Sequence, residues 1–252
     1  MNQVEYIRMF EVEESHWWYV GLHKLILATI QSESKRLGRP LKIFDAGCGT
    51  GRLYQLLAEQ GHSVSGCDAS VEAIRLCRQR GVSNVYQADL NVLELEPATF
   101  DVITSIDVLY HTGIEDDVSV MRRLLNGLKP EGMLIMNLVA HEFLRSTHDI
   151  AVHTRERYTK KTLCLRLLEA GFKINFASYR VSILFPFIAL YRLLRRQISL
   201  NGTDVDSDVK PTHPLINFLL LNIIKMENFL LRFNPLPIGS SVFVTAHRSC
   251  EK

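Results

Sequence analysis

Short apolar runs alternate with amphipathic stretches along most of the chain, and that alternation predicts strands and helices in turn. Residues 41–45, 63–68, 84–88, 100–106 and 133–139 are compact apolar runs bounded by turn-forming residues. Residues 52–60 and 71–80 have helical spacing and stop at Gly61 and Gly81; residues 116–128 open on acids and run into Lys129, as the helix dipole favours. Thr159 begins another helix that Gly171 ends, residues 172–181 read as a sixth strand, and residues 241–246 as a seventh, antiparallel one. Strictly alternating elements of this kind predict a doubly wound α/β sheet.

Two segments fall outside that pattern. Residues 1–37 hold Glu13-Glu14-Ser15-His16-Trp17-Trp18-Tyr19 ahead of a helix over 22–36. Adjacent residues on a helix point about 100° apart, so at most one of the tryptophans packs fully into one groove. They form either an aromatic plug on the sheet or a flap over a ligand. Residues 184–239 separate strands six and seven, where a short loop would do. This insertion carries two apolar stretches, 184–194 and 215–233, joined through a polar, acidic run at 202–208. The expected organisation is a helical cap (1–37), an α/β body (38–183 with 240–252) and a helical insertion (184–239).

The strongest chemical signal follows the first strand. Ile43-Phe44-Asp45 leads into Ala46-Gly47-Cys48-Gly49-Thr50-Gly51, with three glycines at alternate positions. Lacking a Cβ, glycine takes backbone angles other residues avoid and lets a ligand rest on the main chain. A strand, glycine turn and helix hold a nucleotide at the carboxyl edge of a parallel sheet. The dinucleotide pattern is G-x-G-x-x-G, and Arg52 stands where its third glycine belongs. That argues against NAD, FAD and a nicotinamide-dependent dehydrogenase. The loop suits a nucleoside without phosphates whose charged end is an amino acid.

Asp45-x-Gly47-x-Gly49-x-Gly51 resembles motif I of the class I S-adenosylmethionine-dependent methyltransferases, and further matches follow in order. They are Val64-Ser65-Gly66-Cys67-Asp68-Ala69-Ser70, Gln87-Ala88-Asp89-Leu90, Phe100 to Leu109, and Leu128-Lys129-Pro130-Glu131-Gly132. The resemblance implies a Rossmann-like seven-stranded sheet, S-adenosyl-L-methionine as cofactor and S-adenosyl-L-homocysteine as product. It also implies cofactor contacts from Asp45, Gly47, Cys48, Gly49, Gly51 and Ile106, from Asp68 and Ala69 at the ribose, and from Asp89 and Leu90 at the adenine. The Glu13-to-Trp18 stretch is similar to one in bacterial and archaeal methyltransferases that accompany polysaccharide, glycolipid or natural-product assembly. There it walls the cofactor or substrate pocket, which makes Trp17 a candidate contact.

Methyl transfer to a hydroxyl is helped by a general base, and histidine titrates in the right range. Tyr110-His111 follows strand four. Ser146-Thr147-His148-Asp149, then His153, Arg155, Arg157 and Tyr158, is similar to a motif of the same methyltransferase subgroup. The expected base is His153 or His148, with Asp149 orienting an imidazole and His111 a further candidate. Tyr110, Arg155, Arg157 and Tyr158 are expected on the acceptor, the arginines on an acidic or phosphorylated part. The reading is O-methylation of a small-molecule or lipid-linked acceptor. N- or C-methylation and a non-catalytic cofactor-binding adaptor stay open.

Composition narrows the partners. Lys and Arg number 29 against 27 Asp and Glu, a net charge of +2, without the basic stripe that nucleic acid demands. Asn-Pro-Pro-Tyr, the loop of base N-methyltransferases, is absent; Ser105-Ile106-Asp107-Val108 stands there. The five cysteines have no C-x-x-C spacing, so reduced thiols and no metal are expected. No signal peptide and no spanning apolar run are read, which points to a cytoplasmic protein, monomer or homodimer. Arg192, Arg195 and Arg196 beside an apolar stretch allow residues 184–233 either to pack on the core or to lie peripherally on the inner membrane face.

Overall fold

The computed structural model describes residues 1–198 and 212–249, with side chains of the first span described through residue 194. The polar run at 202–208 lies outside the described residues. In chain order the elements are α1 (Gln3–Val12), α2 (Trp17–Leu37), β1 (Lys42–Ala46), α3 (Arg52–Glu59), β2 (Ser63–Asp68), α4 (Val71–Gln79), β3 (Val85–Gln87) and β4 (Phe100–Ile106). There follow α5 (Asp117–Gly127), β5 (Leu128–Val139), α6 (Thr147–Ala151), α7 (Lys160–Glu169), β6 (Phe172–Arg180), α8 (Phe185–Ile198), α9 (Pro214–Leu230) and β7 (Ser241–Arg248).

The seven strands form one sheet in the order β3-β2-β1-β4-β5-β7-β6. The first five run parallel, and β7 is antiparallel to both β5 and β6. Central strands are covered on both faces, which is why they read as continuous apolar runs. Ile43 and Phe44 of β1 point to opposite faces and both are buried, Phe44 in the larger core and Ile43 in the one beneath α2. The order reverses between β1 and β4, and at such a switch point the carboxyl ends of the strands open a crevice.

Local chemistry sets the helix starts. Ser70 caps α4, Asp116 accepts from the amides of Val118 and Ser119 at the start of α5, and Thr159 caps α7. Three features depart from the sequence reading. α1 was not expected; it is anchored by long-range bonds from Tyr6 and a buried Glu5 more than by its own periodicity. α2 begins at Trp17, with His16 as its cap. β5 starts at Leu128, because Glu131 takes a positive φ of 60° and lets the chain kink without leaving the sheet.

Both apolar stretches of the insertion are helical. α9 lies along α2, where Gly21 leaves room for Ile224: a Cβ there would overlap Ile224 Cγ2. Asn217 receives the Trp17 amide at 2.8 Å, and Asn228 donates to the Gly21 carbonyl at 2.8 Å. Glu227, fully buried, accepts from the amides of Val181, Ser182 and Ile183 at 2.5, 2.6 and 3.0 Å, tying α9 to the end of β6. No helix among the described residues is long and apolar enough to cross a membrane.

Candidate active site

The turn after β1 places Gly47, Gly49 and Gly51 at φ of 86°, 54° and 82°, a region that strains other residues. The amides of Gly47 and Cys48 donate to the Cys67 carbonyl at 2.8 and 2.9 Å, and Gly49 donates to Asp68 Oδ2 at 3.0 Å. A Cβ on Gly47 would overlap Val108 Cγ2. Gly51 faces the other way: its Cβ would meet Cys77 Sγ. Unlike Gly47 and Gly49, it is not among the residues lining the cavity above the turn.

Above this turn lies a cavity of about 730 Å³. Asp45, Gly47, Cys48, Gly49, Asp68, Ala69, Asp89, Leu90, Ile106 and Trp17 line it, the carboxylates arriving from the ends of β1, β2 and β3. Asp68 is buried and also accepts from the Ser70 amide at 2.9 Å and from Tyr6 Oη at 3.3 Å; burial raises its pKa. Asp45 accepts from Thr104 Oγ1 at 2.7 Å, and burial pushes its carboxyl to about 6. The bare turn and clustered acids could hold a nucleoside whose far end is cationic.

The same cavity continues past β4, where Asp107, Tyr110 and His111 line it. Asp107 takes a positive φ of 58°. Burial pushes its carboxyl to about 7, although Asn137 donates to both oxygens at 3.1 Å. His111 is half-buried, and desolvation drives it down to about 4. Its Nδ1 lies 2.6 Å from the Val152 carbonyl; a carbonyl only accepts, so Nδ1 carries the proton and Nε2 of the neutral ring is basic.

Known proteins resemble this chain in sequence and in fold. Residues 44–136 match the family model described as "Methyltransferase domain". The chain is 27% identical over 194 residues to a ubiquinone biosynthesis O-methyltransferase of Idiomarina loihiensis, covering 66% of this chain and 78% of that protein. It is 31% identical over 144 residues to the Xylella fastidiosa protein of the same name, covering 52% of this chain and 57% of that one. A solved S-adenosylmethionine-dependent methyltransferase from Mesorhizobium loti superposes with a TM-score of 0.55 at 19% identity, over 83% of this chain and 91% of that one. Residues 44–136 are a class I S-adenosylmethionine-dependent methyltransferase domain. Its cofactor is S-adenosyl-L-methionine, and the glycine floor and ring of acids fit that molecule.

The loop after β5 does not bring the expected catalytic residues together. His148 lines the cavity. His153 does not: it is exposed, at φ 56°, with Nε2 2.7 Å from Asn2 Oδ1. The Asp149 carboxylate is engaged by a guanidinium and a backbone amide. It accepts from Arg157 Nε at 2.8 Å and from the Ser146 amide at 2.7 Å. Opposite charges in a dry interior pair in preference to a neutral ring.

Arg157 lines the cavity beside that pair and donates to the Ala140 carbonyl at 2.8 Å. Arg155 and Tyr158 are not among the lining residues; both meet Asp117 at the start of α5. Tyr158 Oη lies 2.5 Å from Asp117 Oδ2, and Arg155 and Arg166 pair with the same carboxylate.

Residues that sequence reading passed over close the cavity from the N-terminal side. Glu13 is buried, bonded to Thr50 Oγ1 and to Arg80 at 2.6 Å, and burial pushes it to about 7 despite that pairing. Arg80 also pairs with Glu14 at 2.5 Å and donates to the Thr50 carbonyl at 3.1 Å. Glu13 and Glu14 of the tryptophan motif therefore clamp the glycine turn. The signal for Asp107 was available: an acid directly after a central strand. Tyr6 offered none, since its contact is created by the fold.

Proposed function

We propose that this methyltransferase transfers the methyl group to an oxygen of a small, largely apolar, aromatic acceptor. The observation that carries the reading is one continuous cavity with Asp45, Asp68 and Asp89 at one end and Asp107 with His111 at the other. The relatives named for ubiquinone biosynthesis O-methylation support oxygen as the acceptor atom and favour that grouping over polysaccharide or glycolipid assembly. Trp17, Tyr19, Tyr110 and Tyr191 among the lining residues offer ring faces to a planar acceptor.

In this reading the cofactor rests on the Gly47–Gly49 turn, with its ribose at Asp68, its adenine at Asp89 and Leu90, and its ammonium group toward Asp45. When bound, it supplies an electrophilic methyl carbon. The cavity walls align the acceptor for in-line displacement, and proximity provides much of the rate. Asp107 takes the hydroxyl proton, with His111 Nε2 as the neighbouring acceptor. Arg157 and His148 line the wall where a polar substituent of the acceptor would sit. Residues 1–37 cap the cofactor, residues 38–183 with β7 form the body, and α8 covers the acceptor end through Ile188, Tyr191 and Arg192.

The test is calorimetry with S-adenosylhomocysteine, then methyl incorporation into catechols compared with matched aromatic amines. Cofactor binding with methylated catechol supports the reading. Methylation of the amines alone would overturn it.

A further inference from the structure

We propose that the outer face of α8 and α9 docks this protein on an anionic lipid bilayer. α8 has two faces. Ile188, Tyr191 and Arg192 line the cavity, whereas Phe187, Leu190 and Leu194, at helical spacing on another side, are 72, 58 and 53% exposed. α9 repeats the arrangement. Ile224 and Glu227 are buried toward α2 and β6, and Leu215, Phe218 and Phe229 are 63, 60 and 55% exposed. Val181, Leu184 and Ile224 form a small buried cluster that Ile188 joins from α8. Apolar side chains presented in this number mark an interaction surface.

Charge decides the occupant. The sequence of α8 contains Arg192, Arg195 and Arg196 and no acid. α9 contains Lys225 and a single acid, Glu227, and that acid is sequestered by three backbone amides. Arg232 follows α9, exposed. Asp204, Asp206 and Asp208 lie outside the described residues. Among the described side chains of α8 and α9, Arg192 turns to the cavity and Glu227 is sequestered, so the exposed charges beside the apolar rows are the cations Lys225 and, just after α9, Arg232. A second copy on this face would set cation against cation. A bilayer interface of anionic headgroups accepts both the buried rings and the positive rim.

The experiment is flotation of the full chain with phosphatidylcholine vesicles and with vesicles containing phosphatidylglycerol. Wild type is expected to float with the anionic vesicles, and binding should fall by about tenfold as added salt screens the rim. The variant Leu190→Glu/Phe218→Glu/Phe229→Glu should remain unbound while keeping its S-adenosylhomocysteine affinity. Lys225→Glu/Arg232→Glu should lose the preference for anionic vesicles, which tests the idea if the triple variant folds poorly. Wild type that ignores both vesicles overturns the proposal. So does a triple variant that floats as well as wild type, or a solution dimer that the substitutions dissociate. The cofactor titration on the same samples separates loss of docking from failure of the proposed reaction.

Discussion

Asn137 Nδ2 stands 3.1 Å from both carboxylate oxygens of Asp107, while its Oδ1 accepts from Arg180 at 3.3 Å. Asn137 is on β5, Arg180 at the end of β6 and Asp107 at the exit of β4. One amide therefore conveys a buried cation to a carboxyl group facing the cavity. Burial alone would hold Asp107 protonated; this contact and the charges of Arg180 and Arg157 oppose it, leaving the group at about 7.

Activity is expected to follow that titration. The ionised form is the base, so kcat rises with pH through about 7 and levels off above it. Asn137→Leu removes the donor to the ionised oxygens and should move the midpoint upward. Asp107→Asn should lower kcat by roughly 10²–10⁴-fold, the usual contribution of a general base, with S-adenosylhomocysteine affinity retained. A pH–rate series on the three proteins checks this, and an unmoved midpoint in Asn137→Leu would remove Asp107 from the role.

Cofactor affinity should depend on both buried acids of the crevice. Asp68→Ala removes the acceptor for Gly49 and Ser70 amides as well as for the ribose, and a loss of about 10- to 100-fold is expected from charge-assisted bonds of about 1.5–3 kcal/mol. Asp45 is protonated below about 6, so affinity for the cationic end of the cofactor should rise with pH up to that value and then flatten. Titration calorimetry at several pH values measures both effects.

Arg157 and Asp149 are expected to matter chiefly for stability. Arg157→Ala leaves a buried carboxylate without its partner, which costs about 3–5 kcal/mol. Denaturant unfolding should register that loss. His153→Ala, outside the cavity, should leave kcat within about twofold, since surface changes act weakly; a large fall would return His153 to the catalytic site.

The contact between α2 and α9 rests on the missing side chain of Gly21. Gly21→Ala should destabilise the protein by about 1–3 kcal/mol through overpacking against Ile224. Adding Ile224→Val should recover part of the loss, and a double-mutant cycle in thermal unfolding measures the coupling.

Much of this protein was legible in one dimension because the relevant signals are local. Strand and helix alternation, the glycines after β1 and the acids closing β1, β2 and β3 each occupy a few consecutive residues, and strand order in a doubly wound sheet brings those strand ends together. What the sequence could not decide is which polar side chain meets which. The stretch from His148 to Tyr158 looked like a catalytic loop, but Asp149 went to Arg157, and Arg155 and Tyr158 went to Asp117, a residue some forty positions earlier in the chain. Burial drives such choices: a charge leaving water takes the partner that best repays its desolvation, and only the folded arrangement determines which partners are within reach. Tyr6 on Asp68, Glu13 on Thr50 and Asn137 beneath Asp107 are the same case, contacts made between segments that share no local pattern.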